Sequence, residues 1–239
     1  MKQFLSYVLT FAVYASMVNW KVALVLMAGV AFHEWGHLLA AKRMGLPTGG
    51  FYLLPFIGGV ALITGRYTRY SKQAFTVLAG PIFGAILAFV SFGAFLLTGN
   101  PIFGQAAIWM AWLNLFNLLP LSQMDGGQIL ESITFSINET LGVVLMGIST
   151  VVAVVILFKV APILSFLVIV YGGSYLMQTY KAWKWRREGK GYLTTPLPKR
   201  QTKIQILYTV LAYMGTVGSL LWLYTMLSNA SVSMYDLFK

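Results

Sequence analysis

The chain has 239 residues, of which 58% are hydrophobic and only 10% charged, where a soluble domain of this size carries about 25% charged residues. It contains no cysteine, which excludes disulfides, iron–sulfur clusters and thiolate metal ligands. The net charge of +11 would suit nucleic acid in a soluble protein, but here the cations lie between apolar runs and read as orientation signals at a membrane surface.

The first apolar run, Phe4 to Val18, follows Lys2 and continues into Asn19-Trp20-Lys21 with no small-residue cleavage site. A retained helix is therefore expected rather than a cleaved signal peptide. A bilayer core about 30 Å thick asks for roughly 20 apolar helical residues. Seven stretches meet or approach that length: 4–20, 22–41, 73–98, 105–124, 140–158, 161–180 and 204–227. The expected fold is an all-α polytopic membrane protein of about seven transmembrane helices, a single transmembrane domain over 1–239. The connections at Lys21 and Lys159 are very short, which makes their flanking spans antiparallel hairpins. Taking alternate connections, the side with the N-terminus and loops 42–72, 125–139 and 181–203 carries 14 Lys and Arg, against 3 (Lys21, Lys159 and Lys239) on the other. The positive-inside rule places the N-terminus in the cytoplasm and the C-terminus outside.

Between spans two and three, Gly49 and Gly50 open an apolar run that is interrupted by Pro55 and Gly58-Gly59. It is too broken to span. Strand propensity and turn residues predict a short membrane-associated β-hairpin over 49–64, with a re-entrant loop as the alternative. The connection 181–203 mixes eight cations with Trp183, Trp185 and Tyr192. Beside a membrane this pattern suits anionic lipid heads rather than nucleic acid.

The chain's two histidines, His33 and His37, stand four residues apart in the second span, which puts both rings on one helix face. Two imidazoles so placed can share one zinc ion, and Glu34 between them is placed as a general base. A polar cluster used only for helix packing would cost several kcal/mol in lipid with little return. Catalytic zinc takes three protein ligands and leaves one position open. With no third His and no Cys, a carboxylate is expected as the third, backbone oxygens being the other donors the chain offers. Asp125 is the candidate, at the end of the fourth span in Asn117-Leu-Leu-Pro-Leu-Ser-Gln-Met-Asp125-Gly-Gly. An ordinary Asp-Gly-Gly turn is the alternative. Spans two and four both run from outside to inside, and His37 lies about 7 Å within the cytoplasmic boundary, so the two half-sites are expected at similar depth.

These residues resemble the site-2 protease family of intramembrane zinc metalloproteases. The resemblance rests on His33-Glu34-Trp35-Gly36-His37, Leu54-Pro55-Phe56-Ile57-Gly58-Gly59-Val60-Ala61, Ala79-Gly80-Pro81, and Asn117-Leu-Leu-Pro120 running to Asp125-Gly126-Gly127, in the family's order over about 22–130. The chain departs from the family pattern at Met124, Ser122-Gln123 and Gln128, and at Gly84, where an Asn is common. A minimal form without PDZ or CBS domains is expected.

The resemblance implies a catalytic core of spans two to four (22–130), with 131–239 accessory. It implies one zinc ion on His33, His37 and Asp125, Glu34 as the proton carrier, and Asn117, Gly58 and Gly59 as contacts for substrate or oxyanion. Asn117 as the cap of a broken helix is the alternative for that residue. Small residues Gly80, Gly84 and Ala88 on span three would admit a close neighbouring helix. The implied activity is hydrolysis of peptide bonds in or near single-span membrane-protein substrates, at the cytoplasmic face of a prokaryotic plasma membrane, with a regulatory membrane partner and no nucleic acid. The alternative is an inactive zinc-binding membrane scaffold. An ion transporter would spread polar residues along several helices, and spans five to seven hold almost none.

Overall fold

The computed structural model describes residues 1–17, 20–55, 58–121, 124–160, 162–191, 194 and 196–229. Among them the chain forms helices α1 (Lys2–Met17), α2 (Trp20–Arg43), α3 (Tyr70–Thr98), α4 (Pro101–Asn117), α5 (Asp125–Ile137), α6 (Glu139–Val160), α7 (Pro162–Arg187) and α8 (Lys203–Asn229). Between α2 and α3 lie strands β1 (Thr48–Leu54) and β2 (Gly58–Ile63), which form the expected hairpin.

Four helices among the described residues are long and apolar enough to cross a membrane: Trp20–Arg43, Tyr70–Thr98, Glu139–Ile156 and Lys203–Ser228. The other three expected spans fall outside that set. Helices α1 and α4 have 16 and 17 residues, which is about 24–26 Å of helix against a 30 Å core. Helix α7 has 26 residues and carries Lys184, Arg186 and Arg187 in its last turn.

A second difference concerns Asp125. The fourth span was expected to run to it, and 125–139 to be a connection. Instead α4 opens at Pro101, where Asn100 Oδ1 accepts from the Ile102 N–H at 3.1 Å, and it stops at Asn117. Asp125 then opens the separate helix α5, where its charge suits the positive end of the helix dipole. Gly126 makes this restart possible, because any side chain there would overlap the carbonyls of Leu118 and Leu119.

The chain packs as two compact units. The first comprises Met1–Arg66, Leu78–Asn117 and the chain from Ala212; the second comprises Tyr67–Val77 and Leu118–Leu211.

In the first unit, α2 buries Gly29, Val30, His33, Glu34, Gly36, His37, Ala40 and Ala41, a stripe at helical spacing. Its glycines set the approach distance. A Cβ on Gly36 would stand 2.6 Å from the Ala79 carbonyl, and one on Gly29 would stand 3.3 Å from Met110. Phe32, Trp35 and Phe83 close around that contact, with centroids 5.4–5.8 Å apart. In the hairpin, Phe51 pairs with Ala61 and Leu54 with Gly58, and the register slips between Thr48 and Phe51. Gly50 sits in that slip at φ +86°, a conformation other residues adopt only with strain. Trp222 of α8 packs on Phe89 and Phe92 of α3, at 6.3 and 6.2 Å.

The second unit is built around α5, α6 and α7. Tyr70, Phe135, Val143 and Met146 form a buried cluster against Trp183, and Gly142 gives Phe135 its space. Arg186 pairs with Glu139 at 2.7 Å through Nε, and Trp183 Nε1 donates to Thr140 Oγ1 at 3.2 Å. Asn138 Oδ1 caps α6 by accepting from the Thr140 and Leu141 amides, at 2.8 and 3.2 Å. Gln201 reaches α5 through Ser136 Oγ (3.1 Å) and the Ser132 carbonyl (3.2 Å).

Candidate metal centre

His33 and His37 face one way because four residues make slightly more than one helical turn. Their Nε2 atoms stand 3.0 Å apart, and the ring planes cross at 77°. Two nitrogens bound to one tetrahedral zinc at 2.0–2.1 Å stand about 3.3 Å apart. The pair therefore has the spacing of two ligands to one ion. Both rings are buried, as is Glu34.

The remaining nitrogen of His33 is also committed. Its Nδ1 is 2.8 Å from Asn114 Oδ1, while Asn114 Nδ2 donates to the Met110 carbonyl at 2.7 Å. The Met110 bond orients the amide so that its oxygen meets the imidazole. His33 Nδ1 thus carries the proton and Nε2 keeps its lone pair, the state a metal ligand needs.

Two glycines of α3 make room for this arrangement. A Cβ on Gly80 would overlap the His37 ring, and one on Gly84 would overlap the Asn114 amide. Ala88, one turn further, is fully buried. The expected small-residue stripe therefore admits two polar side chains as well as a close helix. A third glycine, Gly59 of β2, lies against Glu34, whose carboxyl group occupies the place a side chain there would take.

Of the residues expected from the sequence, the first unit brings together His33, Glu34, His37 and Gly59. Gly58 opens β2 at φ +99°. Asn117 is the half-buried last residue of α4. Asn114, which sequence reasoning did not single out, is the amide that bonds His33. Its signal was present as a buried-type amide within the apolar run Trp109 to Phe116. Asp125 belongs to the second unit, where it is buried at the start of α5. Burial pushes the Tyr67 phenol up, a hydrogen bond with Thr76 opposes this, and the Asp125 carboxylate adds a smaller upward push. Ser122 and Gln123 lie outside the described residues.

Residues 21–107 match the family model Peptidase family M50. The match is to this stretch of the chain, which holds both histidines, Glu34, the hairpin, Gly80 and Gly84. A zinc metalloprotease of Methanocaldococcus jannaschii is 32% identical over 136 residues, 54% of this chain and 39% of that protein. A Synechocystis protein named as a zinc metalloprotease is 35% identical over 135 residues, 52% of this chain and 34% of that one. The chain thus spans well under half the length of these relatives. The solved structure of the site-2 protease from Methanocaldococcus jannaschii shares the fold, with a TM-score of 0.51 at 23% identity, over 84% of this chain and 92% of that one. Zinc is the metal these relatives are named for, and the paired imidazoles of the matched segment fit it.

Proposed function

We propose that the chain is an intramembrane zinc endopeptidase that hydrolyses peptide bonds in or near the membrane-spanning segments of other proteins. The observation that carries this reading is the pair of Nε2 atoms 3.0 Å apart, with the His33 tautomer set by Asn114 and Glu34 buried beside them.

His33 and His37 supply two zinc ligands, and Asp125 is the proposed third. Support for Asp125 comes from its burial, its place in the Asn117 to Gly127 motif, and the commitments of other carboxylates. Glu131 is held by Gln73 and Tyr175, Glu139 by Arg186, and Glu188 by Lys184 and Lys190. When bound, zinc supplies Lewis-acid activation of water and of a peptide carbonyl. The Glu34 carboxylate takes the proton of the attacking water and later delivers it to the leaving amide nitrogen. Asn117 and the Gly58-Gly59 backbone are proposed contacts for the oxyanion or the substrate main chain.

A helical substrate keeps its amides in internal hydrogen bonds within lipid, so it must unwind before cleavage. The hairpin offers strand backbone to an unwound segment. Helices α1, α4 and α7 are proposed as further spans, the N-terminus as cytoplasmic, and the site as lying near the cytoplasmic face of a plasma membrane. Partners are single-span membrane proteins, the bilayer and a regulatory membrane protein.

The test is Glu34→Gln in the purified chain. Zinc should remain at one ion per chain, while cleavage of a single-span substrate falls at least about 100-fold. Retained cleavage would rule out the assigned base. Zinc binding with no cleavage by the unaltered chain would support the scaffold alternative.

A further inference from the structure

Helix α1 carries Gln3, Tyr7 and Thr10 on one stripe, three and four residues apart. Each donates to a carbonyl of β1. Gln3 Nε2 reaches Gly49 O at 2.8 Å, Tyr7 Oη reaches Phe51 O at 2.8 Å, and Thr10 Oγ1 reaches Leu53 O at 2.9 Å. The acceptors are every second residue of the strand, so they are its carbonyls on one edge. Tyr7 also packs its ring on Phe51, at 5.5 Å. A row of unpaired strand carbonyls is a template for another strand. Here three side chains of a helix occupy that row.

The ladder then fixes what the other edge presents. Phe51 lies opposite Ala61 and Leu53 opposite Gly59. In an antiparallel pair, opposite residues exchange both backbone hydrogen bonds or neither. Phe51 and Leu53 turn their carbonyls to α1, so theirs are the pairs that exchange neither. The N–H and C=O of Gly59 and Ala61 therefore point away from β1, along the outer edge of β2. Among the described residues the sheet has two strands, and Gly59 is the residue that lies against Glu34.

We infer that α1 is an edge lock: Gln3, Tyr7 and Thr10 close β1 to strand pairing, so that an extended peptide segment is received on the β2 edge, in register with Gly59 and Ala61. This rests on the proteolytic reading above, since it names where the unwound substrate lies. The lock accounts for the polar stripe of Gln3, Tyr7 and Thr10 on α1. It also selects between two edges that would present a peptide bond on opposite sides of the hairpin, and Gly59 of β2 is a residue that lies against Glu34.

Because the chain has no cysteine, engineered thiols give an unambiguous test. Tyr52 and Val60 are cross-strand partners, so Tyr52→Cys reports on the β1 edge and Val60→Cys on the β2 edge. Each is combined with Glu34→Gln, to keep the substrate whole, and paired with a cysteine scan through a single-span substrate in vesicles. Disulfides should form with Val60→Cys and not with Tyr52→Cys. Adding Tyr7→Phe and Thr10→Val should raise the Tyr52→Cys yield at least about tenfold, the effect of one or two lost net hydrogen bonds, with zinc content unchanged. Equal yields at both edges with the donors intact, or no rise when they are removed, would overturn the lock. Should the double substitution prevent folding, amide exchange in Glu34→Gln alone decides: substrate should slow Gly59 and Ala61, and slowing at Phe51 and Leu53 instead would overturn the inference. Cleavage by the unaltered chain is read separately, so one-edged cross-linking without cleavage rejects the protease, while cleavage with two-edged cross-linking rejects the lock.

Discussion

An imidazole whose Nδ1–H donates a hydrogen bond to an amide oxygen keeps an electron pair on Nε2, and Asn114 favours that state of His33 through a 2.8 Å bond. Partners of this kind typically change metal affinity by 10–100-fold when removed. Asn114→Ala is therefore expected to weaken zinc binding by about 10–100-fold in a competition titration, while Asn117→Ala leaves zinc affinity unchanged. Equal affinity in Asn114→Ala would show that the amide does not position the ligand. The His-Glu-x-x-His run was readable because its spacing alone puts two rings on one face. Asn114 was not, because its contact crosses 81 positions of chain. The glycine at 84, noted in the sequence as a departure from the family pattern, is where the Asn114 amide finds its room.

Among elements, the hairpin and α5 make an instructive contrast. Gly49-Gly50, Pro55 and Gly58-Gly59 punctuate an apolar run too broken for a helix, so two strands followed from local chemistry. In α5 the same kind of punctuation, Pro120 and Gly126-Gly127, marked a restart rather than a loop, and polar residues of 125–139 are used for tertiary bonds. Ser132 and Ser136 meet Gln201, 69 and 65 positions away. Glu131 is half-buried between Gln73, at 3.2 Å, and Tyr175. Burial pushes its carboxyl above the ordinary range, and the bonds from Tyr175 and Gln73 pull it partly back. A carboxyl raised in the folded state leaves stability intact below the unfolded-state value of about 4.3, and stability is lost as pH rises through the folded value. Thermal unfolding of the detergent-solubilised chain should accordingly show Tm falling with pH above that point, and Glu131→Gln should flatten the slope. An unchanged slope would place its origin in another group.

At the scale of the whole molecule, the expected orientation rests on 14 cations against 3 across seven alternating spans, of which four are helices long and apolar enough to cross a membrane among the described residues. The number of crossings was harder, because α1 and α4 are apolar yet shorter than a full bilayer core, and length in a helix cannot be judged until its ends are known. The orientation is open to a direct check. Lys190→Cys, in the exposed turn after α7, should react with a membrane-impermeant maleimide in inside-out vesicles and stay unlabelled in right-side-out ones; the reverse pattern would invert the topology.

That same turn has a practical consequence. The stretch 188–198 is pinned on one flank by Arg186 to Glu139 and on the other by Lys199, whose amide donates to Thr68 O at 2.9 Å and whose carbonyl accepts from Tyr70 N at 3.0 Å. Both anchors belong to the second unit, so lengthening the chain between them adds only the slowly growing entropy of a larger closed loop. Gly189-Lys190-Gly191 is thus a natural splice point for a folded reporter domain, inserted without disturbing the helices on either side.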